Sequence, residues 1–266
     1  METALEHVFK DDRIDFFAIV RDVSDTFQEC VTSFHTKVQI DVALAKRQHR
    51  HYCNILSSLG LKLISIEADD ILPDCCFTED TAIVIDDLSI ITYPGTPSRV
   101  RETIEIEKIL SPLKTIVHIN EPGTIEGGDV LKIGKKIYIG SSSRTNEEGI
   151  RQVALVVEPK GYQVIPVKIK NTLHLKSVCT YMGRGCILLA EGYLDDTIFS
   201  EYDKVIVPKE EEYCANCLVV QGNVLIPKGF PKTKQLIENK GFPIIEIEMS
   251  EIEKAEGALT CLSVII

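Results

Sequence analysis

Residues 129–142 read DVLKIGKKIYIGSS. Two short runs rich in Ile, Val and Tyr flank Gly134-Lys135-Lys136, and a Gly/Ser stretch follows. β-Branched and aromatic residues on either side of a Gly-containing turn predict a β-hairpin. The arrangement returns at residues 82–97, AIVIDDLSIITYPGTP, around Asp86-Asp87. It returns again at residues 217–231, CLVVQGNVLIPKGFP, around Gln221-Gly222-Asn223. Each hairpin leads into a helix-like segment, at residues 97–110, 143–156 (with Asn146 placed to cap it) and 231–240. A short apolar strand then follows, reading TIVHI, QVIPV or PIIEIE. The segment 40–59 fits a long helix that stops at Gly60 and feeds LKLISIE. Residues 172–190 look like an abbreviated copy. The chain therefore holds about five ββαβ-like units of roughly 50 residues each. Equal repeats around a pseudo-axis predict an α/β propeller-like ring with a site at its centre. An α/β domain with several unrelated hairpins is the alternative.

The bulk composition fits that picture. With 266 residues, 44% hydrophobic and 26% charged, the chain is ordinary globular material. No Pro/Gly/Ser-rich linker interrupts it, so residues 1–266 are expected to form a single domain. No apolar run approaches the ~20 residues that span a bilayer, and no membrane partner is expected. The first residues, METALEHVFKDDRIDFF, lack a basic stretch followed by an apolar one, so no secretory signal is expected. Nine irregularly spaced cysteines point to free thiols in a reducing cytoplasm. Cys214-Ala-Asn-Cys217 has no second pair or His cluster at zinc-site spacing, so no metal is expected there. A net charge of −11, with no basic stripe, disfavours nucleic acid and is compatible with a cationic small-molecule substrate.

Several polar residues stand where strands should begin. Glu79 and Asp80 directly precede the apolar run AIVI. Paired carboxylates at the mouth of a buried strand are costly unless they meet a cation, although a solvated loop would also hold them. Glu126-Gly127-Gly128-Asp129 precedes Val130, and the glycines allow a close backbone approach. His174 lies at the corresponding place in the fourth unit. Cys261 lies in the last, inside the apolar tail ALTCLSVII. Taken alone, a small buried cysteine and a structural histidine would explain the last two. Together, a cysteine, a histidine and carboxylates from separate units are the parts of nucleophilic catalysis at carbon. A planar guanidinium matches paired carboxylates, so a guanidine substrate is indicated.

The segments LPDCCFTED (72–80), PGTPSR (94–99), EGGDV (126–130), SSRTN (142–146), HLKS (174–177) and LTCLSV (259–264) resemble the dimethylarginine dimethylaminohydrolases of the pentein, or guanidine-modifying, superfamily. The match is collinear from about residue 41 to the C-terminus. The resemblance implies a five-bladed ββαβ pseudo-symmetric propeller. It implies Cys261 as nucleophile, His174 as general acid and base, and Glu126 as its orienting partner. Asp80 and Glu79 would hold the guanidinium, Arg99 and Arg144 the α-carboxylate, and Asp74 the α-ammonium. A backbone carbonyl near Ala255 and a lid around residues 25–36, touching substrate near Thr32, would complete the pocket. No metal or other cofactor is implied. The substrates would be asymmetric dimethylarginine and monomethylarginine, yielding citrulline and an amine, and the protein would be a monomer or homodimer. Related deiminases carry Arg where Glu79 stands and Asp where Lys176 stands. These two residues therefore favour the dimethylarginine branch over an arginine deiminase or dihydrolase acting on free arginine. A silent guanidine-binding pseudo-enzyme is the remaining alternative.

Overall fold

The structure is a computed structural model and describes residues 16–32, 38–195 and 197–266. Its strands form five three-stranded sheets. In the second sheet, β3 (Ala82–Ile85) is antiparallel to β4 (Leu88–Ile91), which is parallel to β5 (Thr115–His118). The same pattern joins β6 (Val130–Ile133), β7 (Lys136–Ser141) and β8 (Gln163–Lys168). It recurs in β9 (Cys179–Gly183), β10 (Cys186–Leu189) and β11 (Asp203–Ile206), and in β12 (Leu218–Val220), β13 (Asn223–Pro227) and β14 (Ile244–Ile247). The hairpins turn where the sequence predicts. Gln221 and Gly222, for example, have φ of +49° and +77°, the left-handed pair that a two-residue hairpin requires.

The remaining sheet is assembled from both ends of the chain. β1 (Phe17–Arg21) pairs parallel with β2 (Lys62–Ile66) and antiparallel with β15 (Val264–Ile265). Phe17 and Ile266 exchange two backbone hydrogen bonds, of 3.0 and 2.9 Å. Each middle strand returns to the outer strand through its crossover. The helices are α1 (Val42–Ser58), α2 (Thr103–Leu110), α3 (Glu147–Val157) and α4 (Pro231–Asn239). Asp41 caps α1 by accepting from Leu44 N, and Asn146 caps α3 by accepting from Gly149 N at 2.8 Å. The crossover between β10 and β11 contains no α-helix among the described residues, which is why this unit looked abbreviated.

The hydrophobic core is divided as a ring would divide it. One buried cluster fills each junction between successive blades. Ile85, Ile90, Ile137 and Val153 fill that between the β3–β5 and β6–β8 blades. Tyr138, Leu175, Ile187 and Phe199 fill the next. Leu188, Val205, Val224 and Ile226 follow, and α1 with Tyr52 and Leu56 packs where β1 meets β13. Ile19, Val264, Ala82, Ile91 and Ile106 close the circle. The first strands of the blades line a central channel, through Ala82–Ile85, Val130, Leu218 and Val264–Ile265. No described helix is long and apolar enough to cross a membrane.

A short 3₁₀ turn leads into each of these innermost strands: Thr78–Thr81, Gly127–Asp129, Leu175–Ser177, Lys209–Ala215 and Thr260–Leu262. The turns converge because the strands they lead into share one axis. Gly127 is required for that convergence, because a Cβ there would collide with the Glu79 carbonyl oxygen. At Gly128 a Cβ would lie 2.6 Å from His174 Nδ1. Gly127→Ala is expected to destabilise the fold by about 2–4 kcal/mol in urea unfolding, since backbone cannot move aside as a flexible side chain can. Deleting residues 261–266 removes the strand that closes the ring. Its expected result is loss of cooperative thermal unfolding, and a truncated chain that still melts cooperatively would contradict the closing role of β15.

Candidate active site

Four of the axis turns bring together residues far apart in sequence. His174 Nε2 lies 2.8 Å from Glu126 Oε2, with both side chains buried. The other Glu126 oxygen accepts from Gly95 N at 3.2 Å and from Arg144 Nη1 at 3.3 Å. Asp80 is also buried. Its Oδ1 accepts from Gly128 N at 3.0 Å and its Oδ2 from Arg99 Nη1 at 2.9 Å. Ligand atoms of Asp80, Glu126 and His174 lie within 4.8 Å of one another, a spacing that could also surround a metal ion. Arg99 already supplies a cation to this cluster, 3.8 Å from Glu126 as well.

The charges set one another. Burial alone would lower the His174 pKa, but Asp80, the hydrogen bond to Glu126, and Asp129 overcome it and carry the imidazole up to about 9. Burial works against the Asp80 carboxylate, but His174, Arg99 and the Gly128 N–H hold it down at about 2. Cys261 is half-buried on the Thr260–Leu262 turn. Burial, then the Glu79 and Asp80 carboxylates, push its thiol well above the ordinary range, so it is a neutral thiol at neutral pH.

Three predicted binding residues cluster at one side. Asp74 is buried, and its pKa is raised by burial against the opposing pull of Arg99 and of Arg144. Both its oxygens accept from Val31 N at 3.2 Å, so the described part of the predicted lid rests on it. Thr32 is half-buried at the end of that part, and residues 33–36 of the predicted lid lie outside the described residues. Phe27, in the same loop, stacks obliquely on Phe77 with ring centroids 5.8 Å apart. Ala255 is buried at the C-terminus of the helix α5 (Ser250–Lys254), and Glu256 beyond it has φ of +57°.

Two of the expected binding residues already have partners within the protein. The Glu79 carboxylate is taken up by Lys176 on one oxygen and by Thr260 Oγ1 at 2.7 Å on the other. Its charge, like that of Asp80, is felt at Cys261. Arg99 is buried and committed to Glu102 through Nε and Nη2, to Asp80, and to the Phe77 carbonyl. Arg144 is the more open of the two arginines, with 13% of its side chain exposed.

Other participants were given no role from sequence. Glu102 anchors Arg99 at 2.8 Å, and its i,i+3 spacing was a usable signal. Asp129, which the sequence marked with Glu126 as flanking the two glycines, accepts from Leu175 N at 2.9 Å and from Ser142 Oγ at 2.6 Å, which fixes the turn that follows His174. Asn216, inside the Cys-x-x-Cys segment, hydrogen-bonds to Lys176 and Thr260.

The chain matches the family described as N,N dimethylarginine dimethylhydrolase, eukaryotic, over residues 16–266. It is 34% identical over 248 residues to the N(G),N(G)-dimethylarginine dimethylaminohydrolase of Pseudomonas aeruginosa, covering 92% of this chain and 97% of the relative. The enzyme of the same name from Streptomyces coelicolor is 34% identical over 249 residues, covering 93% and 95%. Among solved structures, a cysteine-to-serine mutant of the Pseudomonas aeruginosa enzyme complexed with citrulline superposes with a TM-score of 0.89 at 32% identity, covering 95% of this chain and 100% of that one. The N-terminal domain of a cyanobacterial arginine dihydrolase shares the fold with a TM-score of 0.86 at 16% identity, covering 94% and 97%. The five-bladed ring, the match over residues 16–266 and the identity to two named relatives agree: the chain belongs to the dimethylarginine dimethylaminohydrolase family of the pentein superfamily.

Proposed function

We propose that this protein hydrolyses Nω-methylated arginines, asymmetric dimethylarginine and monomethylarginine, to citrulline and dimethylamine or methylamine. The observation that carries it is the buried Glu126–His174 pair at 2.8 Å beside Asp80, whose own turn packs against that of Cys261. Similarity to an enzyme solved with citrulline, and to one solved as an adduct with S-methyl-L-thiocitrulline, supports the substrate class.

The substrate guanidinium would lie against Asp80, whose oxygens are pre-aligned by Gly128 N and Arg99. Its positive charge beside Cys261 offsets the effect of Glu79 and Asp80, so the thiol releases its proton to solvent when substrate is bound, while His174 keeps its own. The thiolate attacks the guanidinium carbon. The C–S bond forms, and the bond from carbon to the methylated nitrogen breaks as His174 protonates the leaving amine. The resulting S-alkylthiouronium is attacked by water, His174 accepts the water's proton, and the C–S bond breaks to release citrulline and the thiol. Glu126 keeps the imidazole oriented throughout. Arg144 would take the α-carboxylate, with Arg99 adding charge from beneath, and Asp74 the α-ammonium. The Ala255 carbonyl and the backbone near Thr32 would add contacts. Lys176, neutralised by Glu79, cannot supply the second carboxylate by which a deiminase would grip an unmethylated guanidinium.

A panel of arginine, its methylated forms and agmatine, with the amine product identified, tests this assignment. Citrulline plus dimethylamine from asymmetric dimethylarginine is expected, and Cys261→Ser should abolish both. Absence of citrulline with folded wild-type protein would refute the proposal, and faster ammonia release from arginine would replace it with a deiminase or dihydrolase. The rate of Cys261 alkylation by iodoacetamide in the free protein should rise steadily with pH through pH 9, and a plateau below neutrality would contradict a neutral resting thiol. The raised pKa of His174 also has a stability consequence. Its contribution is complete below its ordinary 6.5 and is lost as pH rises through about 9. Urea unfolding should therefore show falling stability across that interval, and His174→Gln should flatten the fall.

A further inference from the structure

Four of the five axis turns carry the side chains assigned above. The fifth, Lys209–Ala215, leads into β12 and contributes none of them. Immediately after it stands Asn216, 3% exposed. Its Nδ2 donates to the Lys176 carbonyl at 2.9 Å and to Thr260 Oγ1 at 3.0 Å, and its Oδ1 accepts from Thr260 N at 3.2 Å. The amide orientation follows from these partners. A carbonyl can face only the NH₂ group, and a backbone N–H can face only the oxygen.

Asn216 thus joins the turn that follows His174 to the turn that carries Cys261. Thr260, having accepted from Asn216, donates its own hydroxyl proton to Glu79 at 2.7 Å, and Glu79 holds the Lys176 ammonium. The bonds form a closed circuit through Asn216, Thr260, Glu79 and Lys176. A largely buried polar circuit, in which Asn216 and Thr260 are buried and Glu79 and Lys176 half-buried, resists displacement, because moving one member leaves another unpaired. Cys261 is one peptide bond from Thr260, and its own N–H is tied back to the Ala258 carbonyl at 3.2 Å. The thiol therefore inherits its position from this circuit.

We infer that Asn216 is a positioning residue for the nucleophile: through Thr260 and the Lys176 backbone it sets the placement of Cys261 relative to the His174 turn. The inference rests on the reaction proposed above. Its effect would appear in kcat more than in KM, because Asn216 acts through the turn and not through the zwitterionic end of the substrate. Displacing a reacting atom by ~1 Å costs about a hundredfold in rate.

The test compares wild type, Asn216→Ala, Thr260→Val, Thr260→Ser and the Asn216→Ala/Thr260→Val double variant on asymmetric dimethylarginine. Folded fraction is measured by circular dichroism, so that rates are expressed per folded molecule. Asn216→Ala and Thr260→Val are each expected to lower kcat about a hundredfold with KM within about threefold. The double variant should be little worse than either single one, since both cut the same circuit. Thr260→Ser keeps the hydroxyl and should stay near wild type. Unchanged kcat per folded molecule, or two losses that multiply, would overturn the inference. Should Asn216→Ala not fold, the Thr260 pair decides the matter alone, since equal rates for Val and Ser would overturn it. Alkylation of Cys261 by iodoacetamide at pH 9, read by mass spectrometry of its peptide, needs no substrate. Asn216→Ala, or Thr260→Val if the former does not fold, should raise that rate several-fold as the turn loosens, and an unchanged rate counts against the inference. A wild type that makes no citrulline but shows this alkylation response would refute the proposed reaction and leave the positioning role standing.

Discussion

Convergence of five innermost strands on one axis is the constraint from which the rest of the structure follows. Each strand is preceded by a tight turn, so polar side chains from five distant segments meet within a few ångströms. An uncompensated charge there would cost several kcal/mol. The turns must therefore satisfy one another, and the pairs Glu126–His174, Asp80–Arg99 and Glu79–Lys176 are the result. Gly127 and Gly128 make the convergence possible by leaving room for the Glu79 carbonyl and the His174 ring.

The same compensation separates two kinds of carboxylate. Asp80 is held as an anion by Arg99, His174 and a backbone N–H, which suits it to meet a substrate cation without changing protonation. Glu79 is paired with Lys176 and accepts from Thr260 beside Cys261. His174 remains protonated to about pH 9 because the carboxylates around it outweigh its burial. In the proposed reaction, an imidazolium and a neutral thiol at rest would leave the thiolate to form only beside a bound cation.

Ring closure gives the ends of the chain a shared task. β15 is two residues long, yet it bonds to β1 and completes the junction around Ile19, Ala82 and Val264. Cys261, the nucleophile of the proposed reaction, lies just before it, on the turn that leads into the closing strand. The turn and strand around Cys261 are anchored by the buried side chains of Leu262 and Val264.

The hairpins, the helix caps at Asp41 and Asn146 and the five-fold repetition were legible in the sequence, because turn preferences and hydrophobic alternation act over a few residues. Polar residues before each strand marked the candidate site, and their family resemblance named its chemistry. What could not be read was which polar group faces which. Glu79 and Asp80 are adjacent and chemically alike, but one serves Lys176 and the other meets Arg99 and the Gly128 N–H. That Arg99 meets Glu102 and Asp80 was likewise not marked by its position in the chain. Asn216 was concealed in a Cys-x-x-Cys segment, since an uncharged amide leaves no pattern beyond its own position. Local structure is determined by short-range sterics and burial, which a sequence carries residue by residue. Partner choice at the axis was decided only by the closed ring, because those contacts join segments up to 181 residues apart and depend on where the strands converge.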